Sequence, residues 1–276
     1  MPSGPGGLSF RHRGVEMAFH VRVPKPLHGW RAFLNELFVI VLGVLIALGF
    51  GEIAEDWNWR QKTEEGDARL RGELARLFGH ASEQVTVQPC VLTQLDALRS
   101  HLLDNAPQAR PMPLDPFPNN LAVLRLPTRP WSDSIWQGLQ LDGTANHFSP
   151  DRQRYFGTIY SQNETMRALV MQSGDASGRL LLAGYAAPLP EEVRASLLLT
   201  VAEQYRRTQY MSRLASQMMG TMRDLGYAPS DAEVASLLAR GRLASDTIGF
   251  CRDRGMPLAD WKVELAKVPP LSQRAI

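Results

Sequence analysis

The chain has 276 residues, 44% of them hydrophobic and 21% charged, with a formal net charge of +2. That length suffices for one sizeable domain beside a membrane segment, and the hydrophobic share is ordinary for a folded protein. Basic residues are dispersed along the chain, which leaves no electrostatic footprint for nucleic-acid binding.

Residues 1–28 combine PSGPGG, VPKP and scattered charges without periodicity, the composition of a flexible basic tail. The uncharged run Leu37–Gly51, LFVIVLGVLIALGFG, follows. At about 1.5 Å per residue it covers roughly 22 Å, short of the roughly 30 Å of a hydrocarbon core. Extension from Phe33 to Ile53 reaches about 31 Å, with Glu36 and Glu52 within about a turn of the ends. Trp30 precedes the run, and Trp57 and Trp59 follow it. Trp30 and Trp57 would stand about 40 Å apart along a helix, near the spacing of the two aromatic belts of a bilayer. Residues 29–56 therefore predict a transmembrane helix with interfacial flanks. A buried core helix and a cleaved signal are the alternatives. The long preceding segment and the acidic, Trp-containing continuation favour an uncleaved signal anchor.

Within about fifteen residues of the run, Arg22, Lys25 and Arg31 precede it, and Arg60 and Lys62 follow. This margin favours a cytoplasmic amino terminus and an extracytoplasmic carboxy-terminal part. Gly43, Ala47 and Gly51 recur every four residues on one face, a small-residue pattern through which two helices approach closely in lipid. Self-association through this face is the one specific contact expected of the span. Glu52, Glu55 and Asp56 at its exit read as a solvated interfacial face.

Over 57–105, Leu70, Leu74, Leu77 and Ala81 form a helical stripe, which resumes at Val91, Leu95, Leu98 and Leu102. Pro89 should kink the helix or begin a new one. Gln84 and Gln88 interrupt the apolar stripe, so two bundle helices are expected ahead of one long stalk. Residues 106–130 hold seven prolines, among them Pro111, Pro116 and Pro127, and predict an extended crossover.

Residues 131–268 predict a helical bundle. A short helix is expected around Trp131–Leu141, with Trp131, Ile135 and Leu139 on one face. Ser149-Pro150-Asp151 reads as a cap and first turn, leading into a helix that carries Tyr155, Ile159 and Met166. Gly174 and Gly178 are expected to weaken or break it. The longest clean helical stretch begins at Glu191 and stops at Gly226. Ser230 with Glu233 forms a capping-box signature, opening a last helix through about Cys251. Residues 269–276 read as a tail. The fold class expected is all-α: one N-terminal transmembrane helix and an extramembrane bundle of about four or five helices.

The two cysteines, Cys90 and Cys251, both follow the span. In an oxidising compartment they would form a disulfide closing a loop of about 160 residues; buried free thiols are the alternative. His80, His101 and His147 lack metal-ligand spacing and read as surface or cap residues. Met211, Met218, Met219 and Met222 read as a core stripe ahead of a ligand groove. Asn163-Glu164-Thr165 matches a glycosylation pattern but falls in an expected helix. No catalytic, cofactor-binding or metal constellation is present in the sequence, and no enzyme activity or cofactor is expected.

GWRAFLNELFVIVLGVLIALGFGEIAEDWNWR, the later LRGEL and QPCVLTQLDAL resemble a family of uncharacterised bacterial single-span membrane proteins. The likeness is strongest over about residues 29–100. It implies a bacterial inner-membrane location and carries no known activity. The expected function is a membrane-anchored interaction or scaffold protein in contact with the lipid bilayer and an unidentified protein partner. The alternative is an extracytoplasmic sensor or ligand-binding domain, drawing on the Trp131–Trp136 region and acting with a partner.

Overall fold

The computed structural model describes residues 29–104, 110–117, 120–186, 188–240 and 247–273. The tail expected over 1–28 lies outside the described residues. The chain divides into two compact units, residues 1–55 and 56–276. Helix α1, Trp30–Leu103, contributes to both.

In the first unit, α1 is apolar and uncovered. An 18-residue window near its start has a mean hydropathy of 2.5, with none of it buried. Among the described residues α1 is the one helix long and apolar enough to cross a membrane. Apolar side chains on every side of it, such as Phe38, Leu45 and Phe50, stand about as open as those of a lone helix.

The second unit is a helical bundle, as expected. After α1 come a two-stranded antiparallel hairpin (β1, Asp115–Phe117; β2, Asn120–Ala122), α2 (Ser134–Leu141) and a 3-10 turn at Thr144–His147. Then follow α3 (Pro150–Leu180), α4 (Leu182–Tyr185), α5 (Glu191–Asp224), α6 (Asp231–Arg240), α7 (Thr247–Asp253) and α8 (Trp261–Ala266). Helices α3 and α5 pack on each other, and the stripe of α1 completes the core. One apolar cluster joins Leu70, Leu74 and Leu77 of α1 to Phe156 of α3 and the methionines of α5. A second joins Val91, Leu95 and Leu98 to Leu124 of the crossover and Leu180. The methionine stripe is therefore core, with Met218, Met219 and Met222 fully buried.

Several expectations need correction. Pro89 does not divide the post-membrane helix: α1 runs through it. Proline inside a helix costs about 3 kcal/mol. Six leucines of the stripe, from Leu70 to Leu102, are at most 1% exposed, and burying each contributes about 1.5–3 kcal/mol. Keeping both halves of the stripe in register outweighs the lost hydrogen bond. Next to the Val85 carbonyl, which Pro89 leaves without its helical donor, Ala259 N–H reaches the Thr86 carbonyl at 2.9 Å and packs a later segment against this turn.

Helix α3 likewise continues through Gly174 and Gly178 to Leu180. Each glycine costs about 1 kcal/mol, while Ser173, Ala176 and Leu180 bury the intervening face. On the same helix Phe156, not Tyr155, fills the core. Ser149 occupies the N-cap position, but its hydroxyl makes no capping bond. Ser230 and Glu233 form the capping box, with Ser230 N–H 2.8 Å from the Glu233 carboxylate. Of the last helix expected through about Cys251, Asp231–Arg240 (α6) and Thr247–Asp253 (α7) are helical, and residues 241–246 lie outside the described residues. Gly226 stops α5 at φ 74° as expected. The supposed tail includes a 3-10 turn, Leu271–Gln273, held to the end of α5 by Leu271 N–H donating to Asp224 at 2.8 Å.

Candidate functional site

In the first unit, the faces of Gly43 and Gly51 are open: a Cβ added at either would meet nothing within 4 Å. Ala47, between them, is exposed. Leu37 is exposed too, and Trp30 shows 74% of its surface. In the second unit the two exit tryptophans differ. Trp57 is open, whereas Trp59 stacks on His147 with ring centroids 3.9 Å apart and carries Lys62 Nζ 4.5 Å from its own centroid. Nothing in the sequence spacing linked Trp59 to a histidine 88 positions on.

Cys90 of α1 and Cys251 of α7 are joined by a disulfide, with Cα atoms 6.0 Å apart. Both residues are fully buried. Gln94 Nε2 donates toward the Cys90 sulfur at 3.4 Å. The bond ties α7 to α1, and beside it the Ala259–Thr86 backbone bond closes the next segment onto the same helix.

Two buried polar centres and a half-buried third organise the bundle. Glu73, 1% exposed, accepts from the backbone N–H of Ile135 at 3.0 Å and from the Tyr160 hydroxyl at 2.7 Å. Burial, then the Glu73 charge, pushes the Tyr160 hydroxyl pKa far up, so it stays a proton donor. Glu83 pairs with Arg129 at 2.5 Å, both nearly out of solvent. Asp67, Arg152 and Tyr227 form a third cluster. Burial and the hydrogen bond to Asp67 raise Tyr227 to about 12.

His80 is not the surface residue expected. It sits edge-on to Trp131, with ring centroids 5.8 Å apart. Burial, then the charges of Arg129 and Arg76, lowers its pKa to about 4, so it is neutral at pH 7. His101 lies in the last turn of α1, where a cation complements the helix dipole. Trp131 and Trp136 are core residues, Trp136 stacked on Tyr160, so their rings present no open binding face. Asn163 is fully buried within α3, which bars glycosylation of the folded chain. Among the described residues no group of His, Cys, Asp and Glu is arranged to hold a metal ion.

The largest departure from the sequence reading is a cavity of about 220 Å³ between α1, α3, α5 and the crossover. Gln84, the residue that interrupts the α1 stripe, is 4% exposed and lines it. Gly174, Ser177 and Gly178 of α3 form one wall, and Gln204 and Thr208 of α5 another. The signal for it was present as anomalies: a glutamine in a leucine stripe, and two glycines inside a helix.

The chain matches no family model, no curated protein and no solved structure in the comparisons made with each.

Proposed function

We propose that this is a single-pass protein anchored in the bacterial inner membrane, with its amino terminus in the cytoplasm and its bundle outside. The observation that carries the reading is a contrast within α1. Leu70, Leu74 and Leu95 are completely buried, whereas Val39, Ile40, Leu45 and Phe50 are 59–69% exposed. A monomeric soluble protein rarely leaves so large an apolar surface open to water; a bilayer covers it at no cost. The uncleaved span acts as a signal anchor, with Trp30 and Trp57 at the two interfaces.

The orientation draws support from the Cys90–Cys251 disulfide, since such bonds persist in oxidising compartments. The protein acts as an interaction or scaffold component that self-associates through Gly43, Ala47 and Gly51 and holds a protein partner. Replacing Gly43 and Ala47 by Leu lowers the oligomer size in detergent and in lipid; an unchanged size contradicts association through this face. Co-purification in mild detergent brings down a stable protein complex if the scaffold reading holds. A retained small molecule without protein would favour the ligand-binding alternative, for which the 220 Å³ cavity speaks.

A further inference from the structure

We infer that the cavity of the bundle is a binding site for a small uncharged amphipathic molecule bearing an amide-like polar end, which Gln84 recognises. Three observations carry this. The first is Gln84 itself. The residue is 4% exposed and lines the cavity, and no hydrogen bond joins its side chain to another described residue. A primary amide seeks partners for its donors and acceptor. The Gln84 amide keeps access to the cavity space, so the cavity is where a partner can meet it. Gln84 offers both N–H donors and a carbonyl acceptor, so a ligand amide can meet it reciprocally, donor to acceptor and acceptor to donor.

The second observation is the room made for the occupant. Gly174 and Gly178 are exposed at the edge of the cavity, and a Cβ at either would meet nothing within 4 Å. Two glycines spaced one turn apart each cost helix stability, and their missing side chains leave this edge of the cavity open. A cavity of about 150 Å³ accepts benzene. On that scale 220 Å³ holds about nine non-hydrogen atoms, the size of heptanamide.

The third is charge. Among the described residues no ionised side chain lines the cavity. Arg207 donates to Gln204 Oε1 at 2.7 Å. Gln204 Nε2 in turn donates to Ser173 and Thr208, at 3.2 and 3.3 Å. The polar side chains of the α5 wall are thus paired, with the Arg207 charge held on Gln204 outside the lining, and apolar side chains such as Leu124 and Met211 make up much of the rest. A carboxylate or ammonium would lose its hydration there without gaining a counter-charge, so the site selects a neutral molecule. Every lining residue belongs to the unit 56–276. The inference therefore stands or falls separately from the membrane reading.

The test is a ligand-observed NMR titration of the full chain in lipid nanodiscs, with empty nanodiscs subtracted. The probes are heptanamide and its charged counterpart heptanoate at pH 7.5. Saturable heptanamide binding is expected, with heptanoate weaker by roughly tenfold or more. Gln84→Leu should weaken heptanamide by roughly tenfold, and Gly178→Leu, which places a large side chain at the open edge of the cavity, should weaken it further. Folding of each variant is checked by helical circular dichroism and by the intact disulfide. If Gly178→Leu fails to fold, Gln84→Leu, which keeps the volume, decides alone. No saturable binding to the parent protein, equal binding of heptanoate, or unchanged binding by folded Gln84→Leu would overturn the assignment.

Discussion

Glu73 caps a helix to which it does not belong. Its carboxylate, buried on α1, accepts from the backbone N–H of Ile135 at the start of α2, 3.0 Å away. The residue at the N-cap position of α2, Asp133, makes no capping bond and instead pairs with Arg167 at 3.2 Å. A cap supplied from sixty residues away makes α2 depend on tertiary structure. With only eight residues, it would not persist alone.

Removing that carboxylate strands several buried donors at once. Glu73→Ala is expected to destabilise the bundle by about 3 kcal/mol, because the Tyr160 hydroxyl and the first N–H groups of α2 lose their acceptor. Glu73→Gln, which keeps one acceptor oxygen, should cost less. Denaturant unfolding of the full chain in nanodiscs measures both. Equal stability of Glu73→Ala and the parent would show that water replaces the carboxylate.

His80 gives the bundle an acid-sensitive term. Its folded pKa, about 4, lies below the ordinary 6.5 because burial and the nearby Arg129 and Arg76 disfavour the cation. Between these two values the unfolded chain binds the extra proton, so stability rises with pH there. The term is fully present above pH 6.5, is lost as pH falls toward 4, and amounts to roughly 3 kcal/mol. A melting-temperature profile from pH 4 to 8 checks it. His80→Phe should flatten the His80 part of the slope, and an unaltered slope would assign the effect to the carboxylates.

Gly184 marks a close approach. A Cβ there would lie 2.3 Å from Leu114 Cδ2, 2.8 Å from Leu114 Cγ and 3.0 Å from Val123 Cγ1. Gly184→Ala should therefore displace the crossover from α4 and destabilise by about 1–3 kcal/mol, read as a lowered unfolding midpoint. No change would mean that Leu114 swings clear.

Reducing the Cys90–Cys251 bond should lower stability by about 2–5 kcal/mol. Thermal unfolding with and without reductant is the measurement, and Cys251→Ala should reproduce the reduced value without reductant. The bond ties α7 to α1, so the carboxy-terminal segment beyond α5 should become protease-sensitive first. Cleavage beginning elsewhere would argue that this segment is held by packing alone.

Local periodicity carried most of what was legible. The Leu70–Leu102 stripe, the α5 helix with its Gly226 stop and the Ser230–Glu233 box are each set by residues three or four apart, and the apolar start of α1 by an unbroken uncharged run. The misreadings fall where a distant contact outvotes a local rule. Pro89 and the glycine pair of α3 are helix breakers by themselves, and only the buried faces around them keep the helices whole. Tyr155 and Phe156 are neighbours, and choosing between them needs the position of α2 and of Tyr227, whose ring meets Phe156 edge-on. Helix α8 is six residues long, too short for a periodic signal. The cavity was the least legible feature, because Gln84, Gly178 and Gln204 come together only through the packing of three helices.

The central claim is that the apolar start of α1 crosses a membrane and leaves the disulfide-bonded bundle outside the cytoplasm. Paired fusions after residue 270 and at residue 20, to alkaline phosphatase and to green fluorescent protein in intact bacteria, test it most directly. The account predicts active phosphatase and no fluorescence at the carboxy-terminal site, with the reverse at residue 20. Fluorescence with inactive phosphatase after residue 270 would place the bundle in the cytoplasm and contradict both the orientation and the compartment assigned to the disulfide.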